Sequence, residues 1–279
     1  MKTLLKSLII ATALTCATYA SAYTITSGGP SGTYYKVANN LSNIVPGGAV
    51  LKSKGSIENL DRLKNKEADL AIIQADAMAW YFGKYPEMVS QIEVMGSLYK
   101  ECVHIAVAKK GKVRNEDDLQ KKGVTIAIGK QGSGSAVTWD YMMKLEPGYK
   151  KAAVSFTGGS RAFNKLARST PDANNTLDAV MWVTKPTLND KSLKAVINHP
   201  DLEMIAVNDK DLNDTYKPLG RPIYEFEGLP TKDGLFSSGK LTTPCVEALL
   251  VAHTDTDEEI LDSVADIILN YKTSLLRTN

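Results

Sequence analysis

The sequence predicts an α/β fold in two lobes, and three observations carry that reading. A pattern of strand, glycine-rich loop, helix, second glycine turn, helix and strand occurs twice along the 279 residues. Its strands are short and apolar throughout, as strands covered on both faces of a parallel sheet are. Two further apolar runs, Val103–Ala108 and Val246–Ala252, stand outside the repeats. One lies where the chain leaves the first unit and the other where it comes back.

The N-terminus reads as a secretory signal. Lys2 and Lys6 give a basic start, Leu8–Leu14 is an apolar core too short to span a bilayer, and Ala20-Ser21-Ala22 is a small-x-small cleavage pattern. Residues 1–22 are therefore expected to be removed after Ala22, and the mature chain to reside in the periplasm. Lipid anchoring at Cys16 is not expected, because Thr15 precedes it where a small residue is needed. Removal takes two lysines and no acid, so the 33 basic side chains fall level with the 31 acidic ones. Without a basic surplus, nucleic acid and anionic membrane surfaces are poor partners.

In the first unit a strand over Tyr23–Thr26 enters the loop SGGPSGT and then a helix over Tyr34–Ile44. After Gly55 comes a helix over Ile57–Lys66, which Ser56 is placed to cap, and then the strand Asp69–Gln74. The second unit opens with the strand Val124–Ile128, enters the loop GKQGSGS and continues as a helix over Ala136–Leu145. Gly158-Gly159 precedes a helix over Arg161–Arg168, and the strand Leu177–Val183 closes the unit. Pro218–Gly239 reads as irregular. The final helix is expected over Glu258–Leu276, with Ile260, Leu261, Val264, Ile267, Ile268 and Tyr271 at helical spacing and acids in its first turn. The simplest path leaves the first lobe, builds the second and returns to finish the first.

Both glycine loops leave the carboxyl end of a strand and begin a helix, the place where ligands of open α/β sheets bind. Free N–H groups and the positive end of the helix dipole favour an anion there. The candidate wall of the first lobe is Gly29, Pro30, Ser31, Gly32, Thr33 and Tyr34; that of the second is Gln131, Gly132, Ser133, Gly134, Ser135 and Gly159. Gln74, Asp76 and Lys185 follow strands on the same side, with Gln74 suited to a carboxylate or amide, Asp76 to an ammonium or to capping the next helix, and Lys185 to an acid. Tyr99 and Trp182, with Tyr34, are candidate aromatic walls or core residues.

Several chemistries are poorly supported. Neither loop ends in the Gly-Lys-Ser/Thr of a P-loop, and neither holds Gly-x-Gly-x-x-Gly. No Gly-x-Ser-x-Gly elbow marks a serine hydrolase. His104 lies in an apolar strand, and His199 and His253 lie in polar turns; no His/Cys spacing resembles a metal site. No cofactor, no metal and no catalytic set is expected.

These residues resemble the TAXI family of solute-binding proteins, which serve TRAP-type secondary transporters. The resemblance rests on Gly28-Gly29-Pro30-Ser31-Gly32-Thr33-Tyr34-Tyr35, Gly55-Ser56-Ile57-Glu58-Asn59-Leu60, Asp69-Leu70-Ala71-Ile72-Ile73-Gln74-Ala75-Asp76, Ser97-Leu98-Tyr99 with Val103-His104, and Gly132-Ser133-Gly134-Ser135, all in family order. Lys100-Glu101-Cys102 departs from the usual Pro-Glu-Pro, as do Lys130-Gln131 and Thr184-Lys185-Pro186 from smaller or more apolar residues. The resemblance implies a periplasmic-binding-protein-like fold, two α/β lobes joined by two hinge strands with the cleft between. Residues 23–103 with 245–279 would form one lobe and 104–244 the other. It also implies a monomeric, non-enzymatic receptor that closes on a small carboxylate (a glutamate-like amino acid, a 2-oxo acid or a dicarboxylate) and hands it to a membrane transporter. Receptors of this kind run two crossing strands side by side at the hinge. Cys102 and Cys245 stand just before the two runs in question, which makes them either a disulfide or two buried thiols. An ABC-type receptor, an enzyme on the same fold and a ligand-sensing subunit are the alternatives.

Overall fold

The computed structural model describes residues 22–170, 172, 177–217, 220–230 and 240–277. All of the expected signal segment but Ala22 lies outside them. The first unit runs β1 (Tyr23–Thr26), α1 (Thr33–Ile44), β2 (Gly48–Leu51), α2 (Ser56–Lys64), β3 (Leu70–Gln74) and α3 (Ala75–Lys84). A long strand, β4 (Ile92–Ala108), leads into β5 (Thr125–Ala127), α4 (Gly134–Leu145), β6 (Ala153–Ser155), α5 (Gly159–Leu166) and β7 (Ala179–Thr184). Then follow α6 (Lys191–Ile197), β8 (Leu202–Ile205), a small ribbon of β9 (Thr215–Tyr216) and β10 (Arg221–Pro222), and β11 (Tyr224–Pro230). The chain ends with β12 (Lys240–His253), α7 (Glu258–Asn270) and α8 (Lys272–Leu275).

One sheet carries both lobes, in the order β2-β1-β3-β12-β4-β7-β5-β6, with β11 on β12 and β8 on β4. β2, β1 and β3 are parallel, as are β7, β5 and β6. The centre is antiparallel: β12 pairs with β3 and β4, and β4 with β7. Each parallel half therefore points the carboxyl ends of its strands, and the loops that follow them, toward the line where the lobes meet.

The repeated units are fastened by the same device. In the first, the Asp69 carboxylate accepts from the backbone N–H of Thr24 at 2.7 Å and from its hydroxyl at 2.9 Å. In the second, the Asp178 carboxylate accepts from the N–H of Thr125 at 2.7 Å. Each acid stands just before the last strand of its unit and satisfies an N–H at the start of the first, which sets their register. Asn59 ties the other end of the first unit. Buried on α2, it donates to the carbonyls of Ser27 and Ile72 and accepts from the Thr26 hydroxyl.

Packing follows from the sheet's two faces. On one face of the first lobe Val37, Ala38 and Leu41 of α1 meet Ile25, Ile72, Leu250, Val264 and Ile267. A larger core on the other face continues from one lobe to the next through α3 and α4, joining Ile73, Met78 and Tyr81 to Trp139, Tyr149, Val246 and Leu249. A third cluster, around Phe163, Leu166 and Leu177, fills the outer face of the second lobe.

Several elements depart from the sequence reading. The strand expected over Val103–Ala108 extends back to Ile92, and β11 occupies part of the stretch read as irregular. Its partner β12 gives the polar residues of β11 a ladder that no local pattern announces. Ser56 does not cap α2: Gly55 is the capping residue, and the Ser56 hydroxyl accepts from the N–H of Gln74 at 3.1 Å. The C-terminal helix breaks at Tyr271, whose φ of −128° is not helical, and Asn40 donates to the carbonyls of Leu275 and Arg277 beyond the break. His253, read as a turn residue, is buried at the end of β12 and accepts from the N–H of Asp255.

Cys102 and Cys245 face each other across β4 and β12 and are joined by a disulfide spanning 143 residues of sequence. In the chain-entropy account such a link stabilises by restricting the unfolded chain. A Cys102→Ser/Cys245→Ser double variant is expected to keep its far-ultraviolet circular dichroism and to lose about 2–4 kcal/mol in urea denaturation. Two reactive thiols per unfolded, unreduced wild-type chain would show that the link does not form.

Candidate functional site

Four helices begin at the meeting line, α1, α2 and α5 after a capping glycine and α4 with Gly134 as its first residue. The loop between β1 and α1 turns through a Gly32 N–H to Gly29 carbonyl bond of 2.8 Å. Its counterpart between β5 and α4 needs two left-handed residues, Gly129 at φ 84° and Gly132 at φ 76°, which side chains rarely adopt. Gly55 at φ 142° opens α2, and Gly158 precedes α5. Only α4 has a side-chain cap, Ser133 accepting from the Ala136 N–H at 3.4 Å; α1, α2 and α5 have none. Their first N–H groups are thus free to meet a ligand, with the positive ends of the helix dipoles behind them.

These termini surround two adjoining chambers that share Gly29, Lys54 and Ser135. One, of about 400 Å³, is polar and lies among Ser31, Gly32, Thr33, Tyr34, Ser56, Gln74, Glu101, Gly134 and Asp190. The other, of about 500 Å³, has Gln131, Ser133 and Gly159 on one side and Phe163, Val180, Met181 and Trp182 beneath. Trp182 is held by a stack on His104, with centroids 5.2 Å apart, and by the edge of Phe163 at 5.3 Å. Lys54 and Lys130 are exposed at the margins.

The lobes touch across the polar chamber. A Cβ added to Gly134 would stand 2.0 Å from the Gln74 amide oxygen, and Gln74 is itself buried on the opposite lobe. One added to Gly55 would stand 3.4 Å from the Gly132 carbonyl. Glycine at 134 is therefore a condition of this close approach. Ser135 is tied within the second lobe, its hydroxyl accepting from the Val183 N–H at 3.1 Å.

Of the residues singled out in the sequence, Gly29, Ser31, Gly32, Thr33, Tyr34, Gln74, Gln131, Ser133, Gly134, Ser135, Gly159 and Trp182 line the chambers. Pro30 and Gly132 shape the loops without lining them. Asp76 is placed otherwise than expected. It is fully buried behind Gln74, and its carboxylate is filled by the hydroxyls of Thr138 at 2.6 Å and Tyr224 at 2.9 Å and by the N–H of Ala77. Burial raises its pKa while these donors pull it down. It is a bond between lobes, since Thr138 stands on α4, and it has no face left for a ligand ammonium. Tyr99 and Lys185 stand beside the chamber rather than on it, the Lys185 Nζ 3.9 Å above the Tyr99 ring. Burial lowers the Lys185 pKa, against a raising influence from Glu101.

Sequence reasoning missed Glu101. It lines the polar chamber from β4, and one oxygen accepts from the Tyr34 hydroxyl at 2.9 Å. Burial pushes its carboxyl up to about 7, with the Tyr34 bond and Lys185 opposing and Asp76 adding. The available signal was its place in the Lys100-Glu101-Cys102 motif.

A continuous sheet with parallel outer halves, two antiparallel strands crossing between lobes and a glycine-walled cleft at the crossing define the two-lobed fold of the periplasmic binding proteins. The chain belongs to the NMT1-like family, whose model matches residues 25–277. Solved structures of similar fold include the amino acid ABC transporter substrate-binding protein AbpA from Streptococcus pneumoniae bound to L-arginine, at 14% identity over 90% of this chain and 89% of that one, TM-score 0.50. The GluR0 ligand-binding core from Nostoc punctiforme, in complex with L-glutamate, matches at 13% identity over 91% and 96%, TM-score 0.50. Another substrate-binding protein of an amino acid ABC transporter matches at 14% over 90% and 93%, TM-score 0.51. At these identities the likeness is one of fold.

Two outcomes follow from the geometry. Gly134→Ala is expected to cost about 1–3 kcal/mol in urea denaturation through overpacking against Gln74. Gly29→Ala, whose added Cβ meets nothing within 4 Å, should change stability by less than about 0.5 kcal/mol. The second concerns pH. Glu101 holds its proton more tightly in the folded chain than at the ordinary 4.5. Its contribution to stability is therefore greatest below 4.5 and is lost as pH rises through about 7. The melting temperature of wild type relative to Glu101→Gln should fall across that window, and parallel profiles would contradict the assignment.

Proposed function

We propose that the protein is a periplasmic receptor that captures a small carboxylate between its lobes and delivers it to a TRAP-type secondary transporter. The observation that carries the reading is the convergence of four glycine-initiated helix N-termini, three without side-chain caps, on one cleft. Such termini bind anions through backbone N–H groups and dipoles. The ligand class is a glutamate-like amino acid, a 2-oxo acid or a dicarboxylate.

The role is one of binding, not catalysis. The cleft brings serine and threonine hydroxyls to the ligand, and among the described residues no histidine or cysteine lines either chamber. The ligand contacts both lobes and so favours their closed arrangement by its differential affinity for it. Lobe boundaries at 103/104 and 244/245 suit this action, because each falls within a strand that runs between the lobes. A monomer with a cleaved signal at residues 1–22 is the form expected to act.

Delivery to a TRAP-type transporter rests on the family-ordered motifs from Gly28 to Ser135. An ABC-type receptor is the second reading, favoured by the fold shared with AbpA. Uptake by vesicles carrying TRAP-type membrane subunits, with and without the purified receptor, separates the two.

The ligand reading is tested by a thermal-shift screen of amino acids, 2-oxo acids, dicarboxylates, phosphate and sulfonates on the mature chain. A ligand at about a hundred times its Kd adds near 2.7 kcal/mol, a rise of roughly 5–11 °C for a chain of this size. Stabilisation by uncharged compounds alone would sink the carboxylate reading.

A further inference from the structure

The polar chamber contains an apparent contradiction. Helix N-termini that favour an anion surround it, yet a carboxylate, Glu101, stands on its wall. Glu101 belongs to neither repeated unit; it comes from β4, the strand that joins them. One oxygen is held by the Tyr34 hydroxyl at 2.9 Å, and among the described residues no donor reaches the other. Among the described residues, too, no lysine, arginine or histidine nitrogen pairs with it within 4.0 Å. Lys185, whose charge acts on Glu101, is occupied over the Tyr99 ring. The chamber's other acid, Asp190, is already engaged: it caps α6 by accepting from the Leu193 N–H at 2.8 Å and accepts from the Thr184 hydroxyl at 3.5 Å.

From this juxtaposition we infer that Glu101 is the acceptor for a ligand ammonium group, and that the ligand is an α-amino acid rather than a 2-oxo acid or a dicarboxylate. The inference rests on the cleft's being a carboxylate site. An α-amino acid presents its carboxylate and its ammonium on one carbon. The first suits the N–H groups at the starts of α1, α2 and α4, and the second suits the open Glu101 oxygen. A dicarboxylate or 2-oxo acid offers Glu101 no cation, so its added negative charge meets a like charge. Tyr34 is the positioning residue: it stands in the first turn of α1 beside the anion wall and fixes the carboxylate with its hydroxyl. Burial raises the Glu101 pKa, and neither the Tyr34 bond nor the charge of Lys185 cancels it. The adjoining chamber, floored by Phe163, Met181 and Trp182, then receives the side chain.

The test is calorimetric titration at pH 8, where Glu101 is ionised, of matched pairs: L-glutamate and 2-oxoglutarate, L-leucine and 4-methyl-2-oxopentanoate, L-phenylalanine and phenylpyruvate. In wild type at least one amino acid should bind a hundredfold or more tighter than its 2-oxo partner. Glu101→Gln should weaken that amino acid at least thirtyfold and leave the 2-oxo acid within threefold. Tyr34→Phe should weaken it about tenfold or less. Wild-type discrimination is read without any variant, so a misfolded Glu101→Gln does not protect the idea. A 2-oxo acid that binds wild type as tightly as its amino partner overturns this inference while leaving the carboxylate reading in place. If no member of any pair binds, both fall.

Discussion

The antiparallel pairing of β4 with β12 is the constraint on which the rest depends. Each strand is long enough to serve both lobes, 17 and 14 residues. β12 carries β3 on its other side, and β4 carries β7. Everything that reaches the cleft is therefore referred to one ladder. The register Cys245 to Cys102 sets Glu101 opposite Val246, and the adjacent β3 and β7 end in Gln74 and Thr184. Two register shifts in the pair, at Ala248/Leu249 and Leu250/Val251, mark irregularities of the kind that bend and twist a ribbon. A flat pair would align the two halves of the sheet without turning one toward the other.

Around that ladder the molecule separates what fastens from what binds. Asp69 and Asp178 settle the register of the repeats, and Asn59 joins strand ends. Asp76, with Thr138 and Tyr224, carries a buried bond from one lobe to the other. All of these polar groups are spent on protein partners. The cleft itself is built from groups left over: helix starts without side-chain caps, glycines with no side chain, and a carboxylate with one oxygen open. Each of these is a local cost, since an unpaired N–H or a half-satisfied acid weakens the fold where it stands. Their concentration on one surface is what distinguishes a site from a defect.

How much of this was legible depends on whether the cause was local. The duplicated strand–loop–helix pattern and the role of both glycine loops followed from residue type and spacing, because turns and helix starts are decided within a few positions. Gly134 could be named as part of a loop but not as a point of contact, since Gln74 is 60 residues away in sequence and meets it only through the sheet. Asp76 looked available after a strand end, and only Thr138 and Tyr224, from two distant elements, use it up. Glu101 escaped because it lies in a strand, where alternation suggests nothing beyond a face. β11 escaped because its reason to be a strand is β12.

The link between Cys102 and Cys245 has a topological meaning beyond stability. It closes the chain into a ring from which most of the second lobe hangs, with the N-terminal and C-terminal arms of the first lobe both attached to the clasp. A single peptide-bond cut anywhere between those cysteines opens the ring without dividing the molecule. Both arms of the first lobe stay covalently joined, and so does whichever piece of the second lobe is cut. Such a clasp turns a cleavage that would divide the molecule into a nick.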